Sequence, residues 1–373
     1  MIRHRATVAV VDLGAIRHNV RVLKPERAEF LAVVKANGYG HGAEQVSRAA
    51  LDAGATWLGV ALVEEGIRLR DAGLHAPVLV LTQLPPGSEK EALAAGLTPT
   101  VYTEDGLARL AEAAGAVGGP VGVHVKLDTG MHRVGLPPEQ TLGFVRAVAE
   151  AGLELEGLWT HFATSEDLDD PFTEIQLRRF LDETDRLKAA GIRPRYLHAA
   201  NSGGAIAHPA AHLDLVRVGL GMYGLVPGPA LAGMADLRPA MSWRSAVAMV
   251  KRVPAGEGIS YGLRYRLDRE STIATVPVGY ADGFSRVLGD AAAVLIRGRR
   301  HPVAGTVTMD QLMVDCGDDP VEAGDEVVLM GRQDGQEIPA EELAAWMGTV
   351  NYEIVCMVSE RVPREYADEA ASG

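Results

Sequence analysis

The sequence of 373 residues has no long hydrophobic run. Its first apolar stretch is cut short by Asp12, and no segment approaches the roughly 18 apolar residues that a membrane-spanning helix needs. The early residues also lack the uninterrupted apolar core of a secretion signal. We therefore expect a cytoplasmic protein with no membrane partner.

Cysteine and positive charge are also scarce. The two cysteines, Cys316 and Cys356, are too few for a disulfide framework, and neither has the spacing of a metal site. We expect no metal, and two reduced thiols in the core. With 36 basic and 49 acidic side chains the net charge is −13, which argues against the basic surface that a nucleic acid would require.

Short apolar runs are abundant instead. In the first two thirds of the chain they are typical of β-strands, and most are separated by segments that are apolar at helical spacing and end in glycine. Eight strands alternating with helices indicate a (β/α)8 TIM-type barrel, whereas an open doubly wound sheet would have fewer strands and a glycine fingerprint near its first turn. The predicted barrel strands are 30–35, 56–61, 78–82, 98–102, 121–128, 155–162, 196–201 and 215–219.

The pattern changes near Pro239. From there, short β-branched runs alternate with glycine, proline and aspartate, which predicts a mostly-β domain with one helix at 338–348. We place the two domains at residues 1–237 and 238–373.

Polar side chains stand at the ends of the predicted barrel strands. In a barrel of this kind the active site lies at the carboxyl ends of the strands, whatever the reaction. The polar residues at those ends are Lys35 after the first strand, Lys126 to Arg133 after the fifth, His161 after the sixth, Asn201 and Ser202 after the seventh, and Arg217 near the end of the eighth.

The loops after the last two barrel strands are rich in glycine. They read "NSGG" and "GLGMYG", and such loops commonly bind phosphate in these barrels because backbone N–H groups are accessible there. A lysine opposite a phosphate site can serve as a point charge or as an amine that forms a Schiff base. Pyridoxal 5′-phosphate (PLP) would occupy the phosphate site and react with the amine of Lys35. The simpler alternative is a lysine that reaches into solvent.

Seven motifs follow one another along the chain: "AVVKANGYGHG", "KLDTGMHRVG", "THFATSE", "AANSGG", "VRVGLGMYG", "GISYG" and "GTVTMDQ". Together they resemble the alanine racemase family, and the resemblance runs from residue 6 to about residue 366. It implies a barrel followed by a β domain, with residues 6–12 pairing with the second domain. It also implies a head-to-tail homodimer, in which the β domain covers the active site of the partner chain.

The resemblance implies specific cofactor contacts. Lys35 would bind PLP covalently, Arg217 would face the pyridine nitrogen, and Arg133 would contact the phenolic oxygen of PLP and the substrate carboxylate. His161 would lie next to Arg217, with Asn201 nearby. The residues implied to hold the phosphate are Tyr39, Ser202, Gly219, Leu220 and Tyr352.

The resemblance also implies the catalytic groups. Lys35 and Tyr261 would act on opposite faces of the substrate, and Tyr261 would need nearby cations to act as a base. Met309 would offer its backbone N–H to the substrate carboxylate, and Lys126 is carbamylated in many family members. Because Arg217 can only donate to the ring nitrogen, we expect it to disfavour transamination.

Several alternatives remain open. The expected function is the interconversion of L- and D-alanine, which supplies D-alanine for peptidoglycan; a racemase of broader range, acting on serine or lysine, is the nearest alternative. More distant alternatives are a decarboxylase or D-threonine aldolase of the same barrel type, and a PLP carrier without turnover. His208 and His212 have the i,i+4 spacing of a metal pair but are interpreted as packing residues. His198 is interpreted as a supporting residue.

Overall fold

The structure, a computed structural model, describes residues 5–289 and 291–368. The chain divides into two compact units. The barrel unit consists of Ile16–Gly38 and Ala43–Arg238. The described parts of the β unit are residues 5–15, 39–42, 239–289 and 291–368.

Strand β1 (Val8–Asp12) leads directly into helix α1 (Leu13–Leu23). The carboxylate of Asp12 accepts a hydrogen bond from the backbone N–H of Ala15 at 2.9 Å. This contact satisfies one of the donors that the first turn of a helix leaves unpaired, so the strand passes into the helix without a connecting loop.

Eight parallel strands form the nearly closed barrel of the barrel unit. They are β2 (Glu29–Val33), β3 (Trp57–Val60), β4 (Val78–Gln83), β5 (Thr98–Val101), β6 (Gly122–Lys126), β7 (Glu154–Trp159), β8 (Tyr196–His198) and β9 (Leu215–Val218). Their order in the sheet is β8-β7-β6-β5-β4-β3-β2-β9. Near the two edge strands, the N–H of Asp214 donates to the carbonyl of Leu197 and that of Arg217 to Ala200, both at 3.0 Å.

Helices follow most of these strands, as crossover connections between parallel strands require. The α-helices are α2 (Ala43–Asp52), α3 (Val63–Asp71), α4 (Glu89–Ala94), α5 (Glu104–Val117), α6 (Thr141–Glu150), α7 (Phe172–Ala189) and α8 (Ser202–Ala207). Short 3-10 helices lie at Pro138–Gln140, Pro209–Ala211, Leu220–Tyr223 and Pro229–Leu231.

Aromatic side chains pack together within the barrel unit. The ring of Trp57 lies 5.4 Å from the rings of both His124 and Tyr196, and the hydroxyl of Tyr196 reaches the carboxylate of Glu29 at 3.3 Å. These side chains come from β2, β3, β6 and β8, so the barrel is a packed core rather than a pore.

The described residues of the β unit form three sheets. Its further strands are β10 (Met241–Ala246), β11 (Met249–Val253), β12 (Gly258–Ile259), β13 (Tyr265–Arg266), β14 (Ser271–Val276), β15 (Ala293–Ile296), β16 (Arg299–Pro302), β17 (Leu312–Asp315), β18 (Glu326–Gln333), β19 (Gln336–Ile338) and β20 (Arg364–Ala367). The largest sheet has the order β16-β15-β18-β10-β1-β20, with β19 on β18, and the others are β11-β14-β17 and β12-β13. Strand β1 pairs antiparallel with β10 and parallel with β20.

The β unit also contains helices α9 (Ala340–Met347) and α10 (Asn351–Met357), of which sequence analysis predicted only α9. Short 3-10 helices lie at Tyr261–Leu263, Tyr280–Asp282 and Arg286–Leu288. The expectation of two core thiols was wrong for one of them. Cys316 is buried, but Cys356 is exposed, because it lies on α10 away from the face that buries Ile354 and Val355.

The predicted fold class, a (β/α)8 barrel followed by a mostly-β domain, is confirmed. None of the helices within residues 5–289 and 291–368 combines the length and the apolarity that a membrane-spanning helix requires.

Candidate active site

Lys35 follows β2 and begins a left-handed turn. Ala36, Asn37 and Gly38 have φ of 51°, 53° and 62°, with ψ between 46° and 49°. This conformation costs roughly 1–2 kcal/mol for each residue that carries a Cβ, and such strain persists only where the surroundings hold it. Strand β2 ends at Val33, two residues before Lys35, and it pairs with β9, where Leu31 lies opposite Arg217.

The carboxylate of Glu65 holds this turn. One oxygen accepts the backbone N–H of Ala36 at 2.6 Å. The other accepts the N–H groups of Ala61 and Leu62 at 2.8 and 3.1 Å, at the start of α3. A single side chain therefore fixes both the lysine turn and the end of the neighbouring strand, and sequence reasoning missed it.

Arg217 is buried, with 3% of its surface exposed. Its Nη1 donates to Nδ1 of His198 at 3.1 Å, and its Nη2 contacts Nδ1 of His161 at 3.3 Å. Nη2 also donates to the carbonyl oxygens of Thr160 at 2.7 Å and Ala199 at 3.0 Å. Burial lowers its pKa to about 9, so the guanidinium stays charged at neutral pH. Among the described residues, Nε–H and one Nη1–H remain outside these contacts.

Lys126 lies beside Arg217 on a shared aromatic ring. Its Nζ is 4.6 Å from the ring centre of Trp159, and the guanidinium carbon of Arg217 is 4.7 Å from the same ring. Burial lowers the pKa of Lys126 to about 7, with help from the charges of Arg133, Arg217 and Lys35. A substantial fraction of the Lys126 amine is therefore neutral near pH 7.

The same cluster of cations affects the pKa of His161. Burial lowers its pKa well below the usual value, and the charges of Arg217, Lys126, Arg133 and Lys35 lower it further. The ring is therefore neutral at pH 7, and its Nδ1 can accept from Arg217. Four cations within electrostatic reach of one imidazole make this end of the barrel unit suited to an anionic ligand.

Ser202 joins the two glycine-rich loops. Its Oγ accepts the N–H groups of Gly219 at 3.1 Å and Gly221 at 3.2 Å. The Oδ1 of Asn201 accepts the N–H of Gly204 at 2.9 Å, at the start of α8. The structure thus brings the predicted residues Ser202 and Gly219 into direct contact, with Asn201 and Leu220 next to them in the chain.

Two further residues predicted for the phosphate, Tyr39 and Tyr352, lie together in the β unit. Their ring centres are 6.5 Å apart. Burial raises the pKa of Tyr39, and neighbouring Tyr352 and Cys356 raise it further. The hydroxyl of Tyr39 therefore stays protonated and can donate a hydrogen bond.

Tyr261 and Met309 are exposed in the β unit, at 74% and 52%. The backbone of Tyr261 is well fixed. The Oγ1 of Thr306 donates to the carbonyl of Tyr261 at 2.9 Å, and the Oγ of Ser260, whose φ is 62°, donates to the carbonyl of Thr306 at 2.6 Å. The structure thus presents the phenol on a rigid turn.

The His208 and His212 pair contacts backbone carbonyls. Nε2 of His208 lies 3.2 Å from the oxygen of Ser165, and Nε2 of His212 lies 3.1 Å from the oxygen of Ala205. Within the described part of the chain, no group of three or more His, Cys, Asp or Glu residues could hold a metal ion.

Comparison with known proteins assigns the family. Residues 11–227 match the family model for the alanine racemase N-terminal domain, and residues 240–366 match that for the C-terminal domain. The chain belongs to the alanine racemase family. It is 50% identical to an alanine racemase of Symbiobacterium thermophilum, over 98% of both chains.

Solved structures agree with this assignment. The crystal structure of alanine racemase from Streptomyces lavendulae matches with a TM-score of 0.93 and 40% identity, over 98% of both chains. A histidine racemase from Leuconostoc mesenteroides matches with a TM-score of 0.90 and 28% identity, over 98% of this chain and 99% of the other. The expected family, enzyme class and cofactor are confirmed: the chain is an isomerase of the PLP-dependent racemases.

Glu65 and Trp159 contact candidate site residues, and sequence reasoning missed both. Glu65 contacts a backbone N–H 29 positions earlier in the chain, and Trp159 lies close to a cation on the adjacent strand β6 and to another on the more distant strand β9. One local signal was present for Trp159, which directly precedes the "THFATSE" motif at the end of β7.

Proposed function

We propose that this chain interconverts L- and D-alanine, with PLP bound by Lys35 and proton transfer by Lys35 and Tyr261. Family membership supports the reaction. The observation that carries the barrel residue assignments is the cationic cluster at the carboxyl ends of the barrel strands. There Arg217 contacts His161 and shares the ring of Trp159 with Lys126, and Lys35 follows the adjacent strand β2.

The described residues fit PLP chemically. The cluster of cations suits an anionic cofactor and an amino-acid carboxylate, and Arg217 has N–H groups outside its protein contacts that suit a pyridine nitrogen. Arg133 would contact the phenolic oxygen of the cofactor. The groups that would hold the phosphate are the hydroxyls of Tyr39, Ser202 and Tyr352 and the backbone N–H groups of Gly219 and Leu220.

PLP, when bound, supplies an electron-withdrawing ring that makes the substrate Cα proton removable. Inversion then needs proton transfer on both faces of Cα. We assign Nζ of Lys35, once the substrate amine has replaced it on the cofactor, to the proton of D-alanine, and Oη of Tyr261 to that of L-alanine. As one group takes the proton, the other returns one on the opposite face. The backbone N–H of Met309 and the side chain of Arg133 would orient the carboxylate.

Arg217 would set the fidelity of the reaction. A charged guanidinium can donate to a ring nitrogen but cannot accept from it, so Arg217 would hold that nitrogen unprotonated and a bound ring would withdraw electrons less strongly. This would disfavour transamination. His161, His198 and the carbonyl contacts of Arg217 would hold this donor in place, with Asn201 nearby.

Lys126 is suited to carbamylation. Carbon dioxide reacts with a neutral amine, and the pKa of Lys126 is lowered to about 7. The carbamate would convert a cation into an anion beside Arg133 and Arg217, and it would thereby orient Arg133 towards the substrate.

The exposed positions of Tyr261 and Met309 support a homodimer with shared active sites. In such a dimer the β domain predicted at residues 238–373, together with strand β1, would cover the site of the partner. The D-alanine product would be used for peptidoglycan, after synthesis in the cytoplasm.

Chiral chromatography over a panel of L-amino acids tests the function directly. The panel should include alanine, serine, lysine and histidine, because a histidine racemase shares this fold at 28% identity. We expect the largest kcat/KM for alanine. Inversion of another amino acid with a higher kcat/KM would favour the broader or altered substrate range, and no inversion of any would favour a carrier.

A further inference from the structure

A chain of hydrogen bonds leads away from Arg217 through the barrel interior. Nη1 of Arg217 lies 3.1 Å from Nδ1 of His198. Nε2 of His198 lies 2.9 Å from Nδ1 of His124. Both histidines are fully buried, and they come from β8 and β6, on either side of β7. The series therefore links the proposed cofactor contact to the centre of the barrel.

The direction of every bond in this series is fixed by its first member. Arginine has no acceptor, so Nδ1 of His198 must be unprotonated and its proton must lie on Nε2. The Nε2–H of His198 donates a hydrogen bond to Nδ1 of His124, so the proton of His124 lies on its Nε2. Burial lowers the pKa of His124 to about 3, and Arg217 contributes to this shift, so neither geometry nor charge favours a second proton.

The last donor of the series points towards Glu156. Nε2 of His124 has no hydrogen-bond partner within residues 5–289 and 291–368, and Oε2 of Glu156 on β7 lies 3.8 Å from it. A buried N–H without an acceptor is unfavourable, so this donor calls for a partner. The side chain of Glu156 is 22% exposed, so a small rotation or one water molecule could complete the contact.

Two glycines make room for this pair of side chains. A Cβ at Gly157 would lie 2.4 Å from Nδ1 of His124, and a Cβ at Gly122 would lie 2.7 Å from Oε2 of Glu156. His124 and Gly157 are direct neighbours across β6 and β7. Any larger residue at Gly157 would displace the imidazole from the series.

We propose that Glu156 is a positioning residue. Its carboxylate accepts a hydrogen bond from Nε2–H of His124, the last donor of the Arg217–His198–His124 series, and so holds the guanidinium of Arg217 in place. The carboxylate stabilises one tautomer of His124, that tautomer stabilises one tautomer of His198, and His198 fixes Nη1 of Arg217. Its effect on catalysis rests on the proposed contact between Arg217 and the cofactor ring.

Neutron diffraction from crystals of the holoenzyme tests the series itself. We expect deuterium on Nε2 of both His198 and His124 and none on their Nδ1 atoms. Deuterium on Nδ1 of His124 or His198 would overturn the proposal. This readout depends on no activity, so its outcome is independent of the function assigned to Arg217.

Matched variants test the effect on catalysis. Glu156→Met removes the acceptor, Glu156→Gln keeps one acceptor oxygen, and Glu154→Met is the control at an exposed position of the same strand. We expect Glu156→Met to lower kcat for alanine about tenfold with little change in KM, and Glu156→Gln to recover most of the loss. Equal kcat in Glu156→Met and wild type, or an equal loss in Glu154→Met, would contradict the proposal.

Discussion

The two units of the chain present their site residues in opposite ways. In the barrel unit Lys126 and Arg217 are almost completely buried, and their neighbours fix both orientation and protonation. In the β unit Tyr261 and Met309 are mostly exposed. The barrel unit therefore sets the electrostatics of its part of the proposed site, whereas the β unit offers exposed groups whose surroundings a second chain would supply in the proposed dimer.

The largest expected effect on activity comes from replacing Lys35 in the barrel unit. We expect Lys35→Ala to lower kcat for alanine racemisation by about 10³-fold or more, because this variant loses both the cofactor bond and one proton-transfer group. The control is Lys188→Ala, an exposed lysine on α7, which should retain wild-type kcat. Borohydride reduction followed by peptide mass spectrometry should label Lys35 in the wild type. Label on another lysine would reassign the cofactor position.

Replacement of the buried Arg217 should have the next largest effect on kcat. Arg217→Glu should lower kcat about 10²-fold and raise the share of transamination, since a carboxylic acid can protonate the ring nitrogen. The ratio of pyruvate formed to alanine inverted is the readout, because it is insensitive to the amount of folded enzyme. Arg217→Lys serves as the comparison that keeps the positive charge. An unchanged ratio in Arg217→Glu would contradict the fidelity argument.

Burial of Lys126 should appear as a pH dependence of stability. The pKa of this amine falls from 10.5 to about 7 on folding, so between these values the unfolded state binds more protons and the free energy of unfolding rises with pH. The slope from this one group approaches about 1.4 kcal/mol per pH unit.

Urea unfolding in buffers free of carbon dioxide, from about pH 7.5 to about pH 9.5, measures this slope. Lys126→Met should lose it, and Lys188→Met, which changes an exposed lysine, should keep it. Equal slopes in Lys126→Met and wild type would show that the unmodified amine is not desolvated.

The smallest effect concerns the strained turn that carries Lys35. Glu65→Gln replaces one acceptor oxygen of a carboxylate that binds three backbone N–H groups. We expect a loss of about 1–3 kcal/mol in the free energy of unfolding and a severalfold loss of kcat. Glu64→Gln, one residue earlier and exposed, should change neither. If both variants behave alike, the turn is held by other contacts.

Local patterns in the sequence predicted the elements of the barrel well. Each barrel strand coincides with a short apolar run, and the rule that active sites lie at the carboxyl ends of strands was enough to select Lys35 and Arg217 as site candidates. Helix α10 was missed because "NYEIVCM" is short and resembles the apolar runs of neighbouring strands.

Contacts between distant positions were not predictable. The hydrogen bond from Ala36 to Glu65 and the packing of Lys126 on Trp159 join residues about 30 positions apart, and neither partner has a distinctive neighbourhood in the sequence. The left-handed turn at Ala36 and Asn37 was hidden for a related reason. Gly38 and, less often, asparagine such as Asn37 adopt positive φ, but Ala36 is of a type that rarely does.

Co-expression of two inactive variants tests most directly whether Tyr261 of one chain completes the site that contains Lys35 of another chain. Lys35→Ala and Tyr261→Phe, carrying different tags, should each be nearly inactive alone. In a purified mixed dimer with shared sites, one site has both changes and the other has neither, so we predict recovery of about half the wild-type kcat per dimer. Activity no greater than that of the parent variants would contradict the shared site, because it would place Lys35 and Tyr261 of each site in the same chain.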